Sequence, residues 1–184
     1  MHSEQPTEEA TNVSLYGTAD DSIVDGPGIR FTVFVQGCAR NCEGCHNPGA
    51  LSYEGGSRVS VDALIERVAA NPLLAGITLS GGEPFDQAAS LVELARWARG
   101  RVLTGPSRRP LTVWAYSGYR FEELLRGEPT SAAAELLRCC DVLVDGPFVI
   151  AQHSHDLRWR GSANQRVIDV QASLATGEAV AWCG

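Results

Sequence analysis

Three cysteines fall within eight residues, Cys38-Ala39-Arg40-Asn41-Cys42-Glu43-Gly44-Cys45, and that crowding is the first chemistry the chain offers. Pairing two of them would leave the third thiol reactive, so the set calls for a metal or a metal cluster. Zinc is one reading, since three thiolates and one imidazole make a known structural site. The nearby imidazole, however, is His46, directly after Cys45, and adjacent side chains rarely converge on one small ion. An iron–sulfur cubane is a larger target that suits three ligands spread along a loop. It would keep one iron without a protein ligand, and an open metal position belongs to catalysis rather than to structure. The spacing favours the cluster and leaves zinc as the competitor. Cys139 and Cys140 read as buried small hydrophobes, Cys183 as part of a frayed tail, and none of the three is given a role.

A second constellation is Ser80-Gly81-Gly82-Glu83-Pro84. Two glycines let the backbone turn sharply and bring its polar groups close to a ligand. Glu83 adds an acceptor suited to an ammonium group; the bland alternatives are a solvated turn carboxylate or a brace for the loop. Gly-Gly-Glu-Pro tetrapeptides usually just end a strand. Position raises this one, because it leaves a strand at the same sheet edge as the cysteines.

The elements that must hold these loops follow from periodicity. Arg30–Gln36 is β-branched and aromatic between glycines and reads as a strand, with the cysteine loop at its C-terminal end. Gly76–Ser80, Leu111–Tyr116, Asp141–Asp145 and Arg166–Val170 read as further strands. Val61, Leu64, Ile65 and Val68 keep helical spacing behind a capping Ser60, and Leu91, Leu94, Ala95 and Ala98 repeat it behind Asp86. Shorter helices are expected at Glu122–Arg126 and Ala132–Arg138. Alternating strands and helices predict an α/β fold with a mostly parallel sheet of about five or six strands. That is too few for an eight-stranded barrel of ~250 residues, so a partial, open βα barrel fits the length. Ligands then gather at the C-terminal strand ends. Residues 1–12 read as a disordered polar lead, residues 13–184 as a single domain, and Gly100–Pro110 as an exposed loop. Trp97, Trp114 and Trp159 are assigned to packing.

Composition sets the outer limits. A chain of 184 residues, 44% hydrophobic and 20% charged, can bury a real core as one domain. Its net charge of −7 counts against nucleic acid as the principal partner. No apolar run approaches the ~20 residues that span a bilayer. The polar, acidic N-terminus is not a secretory signal, so a cytoplasmic protein without a membrane partner is expected. All 15 basic residues are arginine, which excludes a Schiff-base or P-loop lysine from any mechanism.

Cys-x3-Cys-x2-Cys after one strand and Ser-Gly-Gly-Glu-Pro after another together resemble the radical S-adenosylmethionine (SAM) superfamily. Further residues are similar to those of glycyl radical enzyme activases: Val24-Asp25-Gly26-Pro27-Gly28-Ile29-Arg30, Trp114-Ala115-Tyr116-Ser117-Gly118-Tyr119, Asp141–Phe148 and Arg160-Gly161-Ser162-Ala163-Asn164-Gln165-Arg166. Gly44 stands where many superfamily members carry an aromatic residue. A glycine there resembles the activating proteins of anaerobic ribonucleoside-triphosphate reductase. The resemblance spans roughly residues 14–170 and leaves the tail from Gln171 to Gly184 unmatched. It implies that Cys38, Cys42 and Cys45 ligate a 4Fe–4S cluster whose fourth iron binds S-adenosyl-L-methionine. It also implies that Gly44, Cys45 and His46 line SAM beside the cluster and that Gly82 contacts it from the second loop, with Ser80, Gly81 and Glu83 as neighbours. No catalytic side chain beyond that site is implied. The implied activity is reductive cleavage of SAM and generation of a glycyl radical on a partner, anaerobic ribonucleoside-triphosphate reductase, with an electron donor such as flavodoxin. Two alternatives remain: a small radical SAM enzyme acting on a metabolite, as 7-carboxy-7-deazaguanine synthase does, and a metal-binding module without catalysis. Asn164-Gln165-Arg166 is expected to border the mouth of the site.

Overall fold

The run after Gly28 does form a strand, and a sheet of eight strands is built around it. The computed structural model describes residues 12–101 and 110–184. Its strands are β1 (Asn12–Ser22), β2 (Arg30–Val35), β3 (Ser57–Ser60), β4 (Gly76–Gly81), β5 (Thr112–Tyr116), β6 (Val142–Asp145), β7 (Arg166–Asp169) and β8 (Val180–Ala181). Its helices are α1 (Val61–Ala70), α2 (Ala88–Gly100), α3 (Phe121–Leu125), α4 (Ala133–Cys139) and α5 (Val170–Thr176). Across the sheet the order is β3-β1-β2-β4-β5-β6-β7-β8.

The α/β class holds, but the strand count and the mostly parallel pattern do not. The neighbours β2–β4, β4–β5 and β5–β6 are parallel, whereas both flanks are antiparallel. The strands absent from the sequence reading lack its signals. Strand β1, Asn-Val-Ser-Leu-Tyr-Gly-Thr-Ala-Asp-Asp-Ser, is half polar and irregular in register at Leu15/Gly17 and Ala19/Ser22, which breaks the alternation that marks a strand. Strands β3 and β8 are only four and two residues long. Helix α5 lies in the tail that matched no family pattern. Asn12, placed by sequence in the polar lead, is the first residue of β1; the rest of that lead and residues 102–109 of the Gly100–Pro110 loop lie outside the described residues.

Period-two alternation gives the sheet two different faces. Phe31, Val33 and Val35, with Ile77, Leu79, Val113, Ala115, Leu143 and Ile168, pack in one cluster with the apolar stripes of all five helices. Helix α1 starts where expected, Ser60 Oγ accepting the Ala63 N–H at 3.2 Å. Helix α2 does not start from Asp86: a short 3-10 turn, Pro84–Gln87, leads into it. Among the described residues the opposite sheet face carries none of the five α-helices. It presents Arg30, Thr32, Thr78, Trp114 and Tyr116, and Trp159 and Trp182 pack edge-on to Trp114 with ring centroids 5.8 and 5.1 Å away. Among the described residues no helix is long and apolar enough to cross a membrane.

On that second face Arg30 fastens the end of the sheet remote from the cysteines. It is fully buried, and each guanidinium N–H finds an acceptor. Nε donates to Thr78 Oγ1 (2.6 Å), Nη1 to Pro27 O (3.3 Å) and Thr112 Oγ1 (3.0 Å), and Nη2 to Ile77 O (2.5 Å) and Thr112 O (3.0 Å). One side chain thus ties β2, β4, β5 and the Asp25–Gly28 turn together. Burial lowers its pKa to about 10, so it stays charged at neutral pH. Replacing it removes the donors and strands buried acceptors, each worth about 1–3 kcal/mol. Arg30→Met is expected to cost about 3 kcal/mol or more in urea unfolding of the apo-protein; a loss below about 1 kcal/mol would contradict this bracing role.

Candidate functional site

The cysteine loop is a lobe closed at its neck. Gly37 N–H donates to Ala50 O (2.8 Å) and Cys38 N–H to Leu51 O (2.9 Å), while Gln36 Nε2 donates to Gly49 O (3.2 Å) and Ser52 O (2.6 Å). Within the lobe, Asn41 and Gly44 have positive φ and Cys45 N–H turns back to Cys42 O (3.2 Å). All three cysteines are free and half-buried. Burial pushes the Cys38 thiol up, and the backbone N–H groups of Arg40 and Asn41 directed at its sulfur pull the other way.

The glycine-rich loop packs against that neck. Gly82 N–H donates to Val35 O and Glu83 N–H to Gly37 O, each at 2.8 Å. A Cβ at Gly82 would stand 2.2 Å from Gly37 O, and one at Gly81, whose φ is +96°, 2.5 Å from Val35 N. The sequence reading put the reason for these glycines in a ligand; their first reason is the close approach of two backbones.

Glu83 is not a solvated turn carboxylate. It is buried, with Oε1 accepting from Phe85 N–H (3.1 Å) and Ser117 Oγ (2.9 Å) and Oε2 from Gly118 N–H (2.9 Å). Burial pushes its pKa up to about 7 against the pull of those three donors. The side chain therefore braces the loop after β4 to the loop after β5.

These loops meet on the helix-free side at the C-terminal ends of β2, β4 and β5, around a cavity of about 830 Å³. Cys38, Cys42, Cys45, His46, Ser80, Gly81, Gly82 and Glu83 all line it. Gly44 does not: it faces Ile150, whose Cδ1 would lie 2.6 Å from a Cβ there. His46 is wedged between Phe148 and His153, at 5.0 and 5.6 Å between ring centroids. Trp159 packs as expected but also lines the cavity, with a φ of +67° unusual for its type. Gln165 reaches the wall too, its Oε1 accepting from Gly161 and Ser162 N–H and its Nε2 donating to Gly146 O, so the Arg160–Arg166 segment is laced to the end of β6. Cys139 and Cys140 are buried away from the site, and Cys183 is exposed.

Sequence reasoning missed Arg40, Ser117 and Gly118 as wall residues. The available signal for the last two was a small-residue pair directly after a strand parallel to the other two. Nothing in the spacing singles out Arg40.

The donor set fits a cluster better than a single ion. Three thiols from one lobe line a large cavity, leaving room beside them for a group larger than a single ion.

Comparison with known proteins agrees. The model of the family described as a 4Fe-4S single cluster domain matches residues 24–168. The chain is 36% identical over 149 residues to the anaerobic ribonucleoside-triphosphate reductase-activating protein of Vibrio cholerae, covering 78% of this chain and 89% of that one. To the protein of the same name from Escherichia coli it is 32% identical over 151 residues, 79% and 91% of the two chains. To that of enterobacteria phage T4 it is 30% identical over 148 residues, 78% and 86%. Among solved structures, the crystal structure of QueE from Escherichia coli aligns over 62% of this chain and 57% of its own, with a TM-score of 0.39 and 11% identity, too loose to carry an argument.

Two expectations follow from the loop contacts. Gly82→Ala forces Cβ into Gly37 O and is expected to cost about 2 kcal/mol or more and to lower the iron retained after reconstitution. Wild-type stability in Gly82→Ala would refute the close-approach account. For Glu83, the folded pKa near 7 lies above the ordinary 4.5, so between these values the folded state binds the extra proton and stability falls as pH rises. Urea unfolding of apo-protein from pH 4.5 to 7.5 should show this fall in the wild type and a flatter profile in Glu83→Gln, a difference of a few kcal/mol at most.

Proposed function

The chain belongs to the family of anaerobic ribonucleoside-triphosphate reductase-activating proteins, and from that membership we infer that it is the activase of such a reductase, placing a radical on a glycine of its partner. The observation that supports this most is the meeting of the three cysteines and the Ser80–Glu83 loop on the wall of one cavity at the parallel strand ends.

Cys38, Cys42 and Cys45 would hold the 4Fe–4S cluster, which when bound would supply the electron for reductive cleavage of SAM. The chain's own residues bind, orient and shield. Gly81 and Gly82, without side chains, keep the wall beside the cysteines low, so SAM can lie against the backbone there. Ser80 and the backbone around Glu83 offer polar groups to its amino acid end, while the Glu83 carboxylate keeps that backbone in place. Cys45 and His46 form the SAM-lining stretch, positioned by the backbone turn that the positive φ of Gly44 permits. Trp159 and Phe148 close the far wall and limit water around a reactive radical.

The rim suits a protein substrate. Ile23 and Val24 border the cavity and are 71% and 75% exposed, so the entrance offers apolar surface rather than a lid. An open site of this kind admits a glycine-bearing loop of a large partner. The partial-barrel reading belongs with this function, since a sheet with helices on one face and the cavity on the other is what a curved, open βα barrel presents. A flavodoxin-type donor would deliver the electron in the cytoplasm, and the net charge of −7 argues against a nucleic-acid partner.

The test uses anaerobically reconstituted protein, reduced with dithionite and given SAM, with 5′-deoxyadenosine scored by chromatography. Wild type should form it and Cys42→Ala should not; adding the reductase should then produce a glycyl radical signal in electron paramagnetic resonance. Zinc without iron in the purified protein, or a reducible cluster that yields neither product nor radical with the reductase present, would overturn the assignment.

A further inference from the structure

Arg40 lies between two of the cysteines and carries the single buried side-chain nitrogen or oxygen without a partner among the described residues: its Nε is sealed from solvent and makes no hydrogen bond. The rest of the side chain is fixed. Its guanidinium carbon sits 3.8 Å from the centroid of the Tyr119 ring, and Nη2 donates to Glu123 Oε2 at 3.4 Å. Its stem occupies the space beside Gly118, where a Cβ would stand 2.8 Å from Arg40 Cγ. Stacked on one face and paired at one end, the guanidinium cannot swing Nε out to water without giving up both contacts.

An unpaired buried N–H is costly, and in a native structure it points to a bound group that accepts from it. The wall carboxylates do not fill this role, because Arg40 Nε makes no hydrogen bond to Glu83, Asp21 or Asp25. Arg40 shares the cavity wall with Cys38, Cys42 and Cys45. The acceptors a cluster brings there are its sulfurs, and hydrogen bonds to those sulfurs are among the factors that set cluster potentials.

We propose that Arg40 Nε–H donates a hydrogen bond to a sulfur of the cluster held by Cys38, Cys42 and Cys45 and thereby raises its reduction potential. The inference rests on the cluster-holding reading of those cysteines. On reduction one electron passes from an external donor to the cluster, no bond is made or broken, and the added negative charge strengthens the N–H···S contact. Arg40 thus favours the reduced state from which SAM cleavage begins.

The test compares reconstituted wild type, Arg40→Gln and Arg40→Lys at matched iron and sulfide content and without SAM. Each is titrated with dithionite under electron paramagnetic resonance, and its Fe–S stretching bands are recorded by resonance Raman in H2O and D2O. At the wild-type midpoint both variants are expected to show a roughly tenfold lower ratio of reduced to oxidised cluster, a shift of about 59 mV downward for one electron. Both should also lose a D2O-sensitive band shift. Arg40→Lys belongs with Arg40→Gln because it keeps the charge but not the planar Nε–H. Glu123→Gln, which loosens the anchor without replacing a residue of the cysteine lobe, should shift the potential less but in the same direction, and carries the test if Arg40 variants lose iron.

Unchanged potentials in variants that hold the cluster would overturn the proposal alone. So would a shift in Arg40→Gln that Arg40→Lys restores, which is a charge effect, or one that appears only with SAM, which makes the SAM carboxylate the acceptor. A wild type that assembles no 4Fe–4S cluster would overturn both this and the reading beneath it.

Discussion

The backbone of Gly82 lies against the carbonyl of Gly37 so closely that no other residue fits there, and the rest of the site depends on that contact. Gly37 is the neck of the cysteine lobe, held by Ala50 on one side and by Glu83 N–H on the other. Two loops that leave neighbouring parallel strands are thereby clamped at one level. The clamp is made of backbone hydrogen bonds and a missing side chain, not of flexible polar groups, so it orders the cysteines without crowding them. Tyr53 covers the neck from outside, its ring where a Cβ at Gly37 would stand and its hydroxyl donating to Asp86.

From this clamp the site grows by a chain of contacts around the strand ends. Glu83 reaches from the β4 loop to Ser117 and Gly118 after β5. Gly118 leaves room for Arg40, which stacks on Tyr119 and returns to the cysteine lobe. Tyr119 O accepts from Gly146 N–H after β6, and Gln165 fastens the returning segment to Gly146 O. Asp145, buried at the end of β6, accepts from Phe121 N–H (2.7 Å) and pairs with Arg166. Each link is modest, about 0.5–1.5 kcal/mol for a neutral hydrogen bond, but a closed ring of them restricts every loop by its neighbours. A reactive radical requires walls of that kind, and the ring of contacts supplies them.

The two faces of the sheet divide the labour. One is apolar and packed with helices, and it supplies the hydrophobic driving force. The other carries Arg30, threonines, tryptophans and the cavity, with Arg30 securing the end away from the chemistry. Because side chains alternate strictly, a one-residue slip of β2 or β4 would expose the core residues and misplace both loops at once. Stability and site geometry are therefore set by the same register.

Much of this was legible in the sequence. The central strands, the main helices and the cysteine and glycine loops carry local signals: β-branched runs, helical spacing, a serine cap, and residue types whose chemistry is confined to a few uses. These signals arise within a few residues, so no fold is needed to read them. Strands β1, β3 and β8 carry no such signal, because their pairing energy comes from partners distant in the chain, Val35 for Leu15 and Ser57 for the same residue on the other side. Only the tertiary structure decided that Glu83 is a buried brace, that Gly44 faces Ile150 rather than the cavity, and that Arg40 holds an unsatisfied Nε at the wall. Those properties depend on what surrounds a side chain in space. The sequence by itself determined which atoms are available for the chemistry; the tertiary structure decided which of them remain free to perform it, because burial and hydrogen-bond satisfaction are set by neighbours that come from elsewhere in the chain.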